Sequence, residues 1–540
     1  MTTFVLVPGE FGGADVWEET AAGLAAAGAR ARTVSLSRVG SGSGSGSGSG
    51  FNFDSGHGPG PGRGSGSGHG SALPAVDLET HIADVVAVVD SVCAEAAAAG
   101  TDTPRLVLVG HGYGIHPALA AADRRAEHIA RVVYVDAGMP KDGVPPLAAV
   151  PDQGLREELA AKDDGDGTVV LDPPTGEEWQ RWGSTAGLDG AALTRLTEQA
   201  VPQPLATLRR PLRLTGAVAS VPSTAVLCTG SGAGIEMVQM IVDLGDPALQ
   251  SLLDPRVSFF ELPTGHWPML SCPAELAGTL LRAAAGEGHR LKPADAAAPP
   301  AHLRPFLLDV PGVPRERAGR VDLYLPEPDA AGGPLPAVLF VHGGPVPAGL
   351  APTPRDWPMY QGYAGLAAAR GVVGAMLDHR LHDVGDYPVA ADDVAAAVEQ
   401  LREDPRVDAD RIALWFFSGG GPLSAEWLAA PPPWLRCLAA TYPILDPMPS
   451  WGLSGERFRP VRAVARAGDL PVVLTRAGLE VPAIAATVEA FVAAGEECGA
   501  RLDLVDVPHG HHGFETLDPT DESREAVRSA LEKVVGYLRA

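Results

Sequence analysis

The 540-residue chain has no cluster of positive charge, no long apolar run and few cysteines. Lys and Arg total 41 against 66 Asp and Glu, a net charge of -25. Nucleic acid and anionic membrane surfaces both call for clustered cations, so neither is an expected partner. Cys93, Cys228, Cys272, Cys437 and Cys498 are odd in number and widely scattered, with no C-x-x-C pair. That excludes a disulfide framework and makes the reducing cytoplasm the expected location. The opening "MTTFVLVPGE" lacks a basic region, and its apolar run ends at Pro8-Gly9, which is the pattern of a first strand and not of a signal peptide. No apolar run is long enough to span a bilayer.

Glycine and proline are plentiful, at 65 and 50 residues. They concentrate in two places, and the length itself predicts two cores of about 250 residues each. Residues 40–71 form a Ser/Gly-rich tract too poor in apolar side chains to fold, with "FNFD" (Phe51 to Asp54) embedded in it. Residues 287–303, rich in Ala and Pro, read as a linker between domains spanning 1–286 and 304–540. Both flanks alternate short apolar strands with amphipathic helices. One helix begins after Asp77, a candidate N-cap, with Leu78, Ile82, Val85, Val86, Val89 and Val92 on one face. The expected fold class is α/β: two domains, each a mostly parallel sheet with helices on both faces, and a helical cap over 140–214 in the first. The cap contains Trp179 and Trp182. Its acidic run Lys162 to Thr168 has too few ligands for a calcium loop, and no metal or cofactor is expected.

In the second half, "RIALWFFSGGGPLSAEW" sets Ser418 between an apolar strand and a Gly/Pro-opened helix, where a nucleophile would stand proud of the sheet. A base and an orienting acid follow in chain order: Glu480 past one strand, and His511 or His512 past the last. Upstream, "LFVHGGP" offers backbone N–H groups at Gly343 and Gly344 which, with Gly419, would hold an oxyanion. This set resembles the α/β-hydrolase fold, and within it the dienelactone-hydrolase and acetyl-esterase-like group. The resemblance implies ester, lactone or acyl-transfer chemistry on a small-molecule substrate. It also implies His512 as base, from "HHGF", and Glu480 as acid, from "AGLE". One departure is Phe416, two residues before Ser418, where the fold normally has Gly. It means either a displaced neighbour or a spoiled turn.

The first half carries "FVLVPGEFGGADVWE", "VGHGYG", "RVVYVDAGMP" and "ELPTGHWPML". These resemble the small esterases related to hydroxynitrile lyases, with Gly112 in the nucleophile's place and Ser231 where the triad acid belongs. His266 remains. The residues leave open a silent, degenerate domain or a pocket with non-hydrolytic lyase- or oxygenase-type chemistry. In the latter, His266 is the base, Asp136 orients it, the N–H groups of Phe11 and Tyr113 steady an anion, and Glu10 lies nearby. A third alternative is a binding or scaffold protein with both elbows silent. A homodimer is compatible with all three.

Overall fold

The computed structural model describes residues 2–38, 76–100, 105–163, 167–243, 249–293, 299–326, 333–453 and 455–540. The whole Ser/Gly tract, including "FNFD", lies outside them, as do parts of the linker and of the acidic run in the cap.

Two separate sheets make the two domains. The first has strands β1 (Thr2–Val7), β2 (Arg30–Thr33), β3 (Arg105–His111), β4 (Ile129–Val135), β7 (Ser223–Cys228) and β8 (Val257–Leu262), in the order β2-β1-β3-β4-β7-β8. All pairings are parallel, with Val5 opposite Leu108 and Val109 opposite Val133. A short antiparallel pair, β5 (Val170–Leu171) and β6 (Gln203–Pro204), belongs to the cap. Leu106 to Val109 are buried without alternation, because helices cover both faces of a parallel sheet. The helix Leu78–Ala98 starts where its sequence says it should. Asp77 accepts from Thr80 N–H at 3.1 Å, and Thr80 Oγ1 reaches back to Asp77 N–H at 3.4 Å, closing a capping box.

The second sheet has eight strands. They are β9 (Arg315–Ala318), β10 (Val321–Tyr324), β11 (Leu335–Val341), β12 (Val373–Leu377), β13 (Val407–Phe417), β14 (Leu435–Thr441), β15 (Val472–Leu479) and β16 (Leu502–His511). Their order is β16-β15-β14-β13-β11-β12-β10-β9, parallel except for the antiparallel edge formed by β9 and β10. Successive residues of β13 feed opposite cores: Phe416 joins the one containing Leu339 and Leu414, and Phe417 the one containing Phe340 and Tyr363.

Every residue singled out from the sequence for chemistry lies just past the C-terminal end of a strand or at the turn that follows, the edge where parallel sheets present their loops. Among the described residues no helix is long and apolar enough to cross a membrane, and all five cysteines are free.

Candidate active site

Ser418 follows β13 directly and has φ +48°. A residue with a Cβ occupies that left-handed region at a cost of about 1–3 kcal/mol, so its surroundings must hold it there. Ile444 N–H donates to its carbonyl at 3.0 Å, and glycines crowd it on the other side. A Cβ on Gly343 would lie 2.9 Å from Ser418 Cβ, one on Gly419 would overlap the Gly344 carbonyl, and one on Gly420 would sit 2.5 Å from the His342 carbonyl oxygen. These glycines let three backbone segments meet where side chains have no room.

Phe416 does not spoil this turn. In the first domain the matching residue is Gly110, where a Cβ would overlap the backbone of Ile115, the first residue of the following α-helix. In the second domain the residue at that offset is Gly421, and it belongs to a 3₁₀ run, Ser418–Ser424, that precedes the α-helix. The backbone after the nucleophile takes a different course, and the Phe416 ring is fully buried in the space beside it.

Ser418 Oγ is 2.7 Å from His512 Nε2, and His512 Nδ1 is 2.9 and 3.0 Å from the two Glu480 carboxylate oxygens. The acid fixes the tautomer: Nδ1–H donates to the carboxylate, which leaves Nε2 to accept from the serine hydroxyl. The side chains of His512 and Glu480 are only 11% and 4% exposed, so water does not compete for these bonds. Val481 N–H donates to Glu480 at 2.8 Å, and the Tyr442 ring covers His512 at 4.6 Å between centroids. His511 faces outward and pairs with Asp518 at 3.1 Å. The choice between the two histidines, which rested on resemblance, falls to His512 on contact.

One of the three glycines named as oxyanion donors is already engaged. Gly343 N–H donates to Tyr360 Oη at 3.1 Å, and a backbone N–H has a single hydrogen to give. Gly344 and Gly419 lie against each other beside Ser418. The Gly419 carbonyl is held by Tyr387 Oη at 2.7 Å. His342, the first residue of "HGG", donates from Nδ1 to Gly343 O at 2.5 Å and stacks on His379 at 3.6 Å. Burial pushes its pKa down to about 4, so it is a neutral brace for the loop. A cavity of about 360 Å³ adjoins Glu480, lined by Tyr442, Arg476, Val488 and Glu489 among others; neither Ser418 nor His512 lines it.

Residues 4–279 match the model of the alpha/beta hydrolase family. The chain belongs to that family. Residues 321–429 match a second family model, BD-FAE. A carbendazim-hydrolyzing esterase from Nocardioides sp. (strain SG-4G) is 31% identical over 212 residues, which are 38% of this chain and 78% of that protein. Similar solved structures include an extracellular alpha/beta-hydrolase from a Paenibacillus species, 20% identical and covering 52% of this chain and 99% of its own, with a TM-score of 0.37. The carboxylesterase EstE1, cloned from a metagenomic library, is 21% identical over 43% of this chain and 92% of its own, with a TM-score of 0.35.

The turn after β3 in the first domain has the same backbone setting as Ser418 in the second: Gly112 has φ +45°. The space above Gly112, where the second domain places its serine side chain, is filled by Glu10. A Cβ on Gly112 would lie 2.5 Å from Glu10 Oε2 and 3.0 Å from His266 Nε2. His266 Nδ1 is 2.8 Å from Asp136 Oδ2, and His266 Nε2 is 3.8 Å from Glu10 Oε2. Ser231 Oγ donates to the same Asp136 oxygen at 2.8 Å. Burial works to lower the pKa of His266, but Asp136 and Glu10 outweigh it and hold the ring at about 9. The cluster is a carboxylate, an imidazolium and a carboxylate in a row.

One expectation for this pocket is corrected. Phe11 N–H is not available to an anion, because it donates to Gln203 Oε1 at 3.3 Å. Glu10, which the sequence set near this pocket, is turned onto His266. The Tyr113 hydroxyl, a different group from the N–H singled out in the sequence, meets His81 Nδ1 at 2.8 Å. The cap closes the site. A Cβ on Gly183 would lie 2.5 Å from His266 Cγ, and Trp182 packs edge-on against Phe11 at 4.8 Å. Restoring the serine alone is therefore expected to fail. Gly112→Ser in a Ser418→Ala background should give no fluorophosphonate adduct by intact-protein mass spectrometry, since Glu10 already occupies the seat; an adduct would contradict this packing.

Sequence reasoning missed the residues that hold the second site from behind: Tyr360, Tyr387 and Glu515. Glu515 is fully buried, accepts from Tyr363 Oη at 2.7 Å, and is pushed up to about 7 by burial. Its one visible signal was an acidic residue three places after His512.

Proposed function

We propose that the second domain is a serine hydrolase that cleaves an ester, lactone or other acyl substrate through an acyl-enzyme, and that the first domain is not catalytic. The observation that carries this reading is the relay Ser418–His512–Glu480, in which each contact is at hydrogen-bond distance and the acid is buried. Ser418 Oγ forms a bond to the acyl carbon while its proton passes to His512 Nε2. The imidazolium is steadied by Glu480 and returns the proton to the leaving oxygen. Water then repeats the sequence on the acyl-enzyme. The N–H groups of Gly344 and Gly419 receive the oxyanion, each worth roughly 3 kcal/mol in the transition state. The similarity of part of the chain to an esterase that hydrolyses carbendazim is in keeping with acyl chemistry and assigns no substrate to the second domain.

The His-centred alternative in the first domain is opposed by its own geometry. A base must be unprotonated, and His266 lies between two carboxylates that favour its charged form. A scaffold with two silent elbows is opposed by the contact of Ser418 with His512. The deciding test is intact-protein mass spectrometry after incubation with a fluorophosphonate. One adduct is expected on the native chain and none on Ser418→Ala. A folded native chain that stays unlabelled would overturn the reading.

A further inference from the structure

The loop that follows β14 has little to hold it from within. Residues 442–452 contain Pro443, Pro447 and Pro449 and a single helical turn, Pro449–Trp451. A proline has no N–H to give, so part of this backbone cannot tie itself down. Yet the loop carries the supports of the relay. Ile444 N–H donates to the Ser418 carbonyl at 3.0 Å, and the Tyr442 ring covers His512. The Trp451 ring stacks at 5.8 Å on Tyr387, whose hydroxyl holds the Gly419 carbonyl. Ser418 and Tyr442 both have positive φ, +48° and +35°. Residues with a side chain stay in that region only where their surroundings leave them no alternative.

The outer support comes from the first domain, at three points. Met237, on the helix Ile235–Asp243, is buried in one apolar cluster with Ile444, Met448 and Ile484, and Val481, whose N–H bonds Glu480, packs against it. A Cβ on Gly232 would lie 3.0 Å from Met448 Cβ and 3.2 Å from Pro449 Cδ. At the far end of the loop, Gln153 N–H donates to the Gly452 carbonyl at 3.2 Å, and a Cβ on Gly452 would overlap the Pro151 carbonyl. The presenting segments are pinned in their turn. Ser231, next to Gly232, bonds Asp136 of the closed cluster, and Arg156 donates to the carbonyls of Val150 and Pro151, both at 2.7 Å. We propose that the first domain is the buttress of the second active site: through the positioning residues Met237 and Gln153 it holds residues 442–452, and with them Ser418 and Glu480, in register with His512. The proposal rests on Ser418 being the nucleophile. It gives the first domain a function that needs no chemistry of its own, since a site filled by Glu10 and sealed by the cap makes a firm support.

The test uses the full chain, with the rate of fluorophosphonate labelling at Ser418 followed by mass spectrometry well below the melting point of each variant and folding checked by near-UV circular dichroism. Met237→Asp puts a charge into the apolar contact and should slow labelling on the order of a hundredfold, the cost of about 1 Å of misplacement at a reacting group. Met237→Leu keeps the contact apolar at nearly the same volume and should label at the native rate. Gln153→Pro removes the N–H given to Gly452 at a first helical position, where proline is tolerated, and should slow labelling about fivefold, the worth of one hydrogen bond. A native rate in folded Met237→Asp overturns the proposal while leaving Ser418 as the nucleophile, and so does a Met237→Leu chain as slow as Met237→Asp. If Met237→Asp does not fold, Gln153→Pro decides, and a native rate there overturns the proposal. A native chain with no adduct overturns the hydrolase reading itself.

Discussion

Ser418→Ala and His512→Ala are each expected to lower kcat on an ester substrate on the order of a millionfold, and the double variant no further, because a nucleophile and its base act as one unit. Glu480→Gln should cost less, on the order of ten-thousandfold. The amide keeps the shape of the site but offers its N–H₂ where an acceptor is needed, turning His512 to the wrong tautomer. The buried position of Glu480, and the 2.9 Å contact it makes with His512 Nδ1, are what make the acid matter. Steady-state kinetics on a chromogenic ester checks the set. Additive losses for Ser418→Ala and His512→Ala would show that the two side chains do not share a proton, and would remove the relay from the mechanism.

The relay was readable before any coordinates because each member sits at a strand end, and the parallel sheet brings its strand ends together. Ser418, Glu480 and His512 are far apart in the chain, yet β13, β15 and β16 stand within four positions in the sheet order. The glycines of "HGGP" and "SGGG" were legible for the same reason: they fill the meeting point of two loops. Phe416 was legible only as a question, since its accommodation depends on a 3₁₀ run rather than an α-helix, and local sequence does not separate the two. Contacts across the sheet were not legible at all. Nothing near Gly343 announces that its N–H is taken by Tyr360, and nothing near Gly419 announces Tyr387.

Gly112 and Glu10 were both noticed as unusual, one for what it lacks and the other for its charge. That they occupy one site is a tertiary fact. The turn after β1 and the turn after β3 meet above adjacent strands, so the bare Gly112 on one leaves room for the Glu10 carboxylate from the other. The second domain has the opposite arrangement, with glycine on the upstream loop and serine at the elbow. The two domains thus present the same frame with the side chain supplied from opposite sides.

His266→Ala is expected to destabilise the first domain by about 3–5 kcal/mol, because it strands the Glu10 and Asp136 carboxylates in a closed site with no cation between them. For a domain of this size that is roughly a 6–20 °C fall in Tm. Removing the stranded charge should restore much of it, so His266→Ala with Glu10→Gln and Asp136→Asn should melt well above His266→Ala alone. The same cluster sets a pH dependence whose sign follows from its three groups. His266 is held at about 9, above its ordinary 6.5, so its contribution is complete below pH 6.5 and is lost as the pH rises through 9. Glu10 and Asp136 are held below their ordinary 4.5 and 3.8, so theirs is present above those values and lost as the pH falls beneath them. Stability of the native chain should therefore be flat between pH 5 and 6.5 and decline toward pH 10, and the decline should be missing in the triple variant. Scanning calorimetry across that range checks both statements. A His266→Ala chain that melts with the native one at pH 6 would mean that the two carboxylates do not need the imidazolium, and that Glu10 is not anchored in the serine's place by its charge.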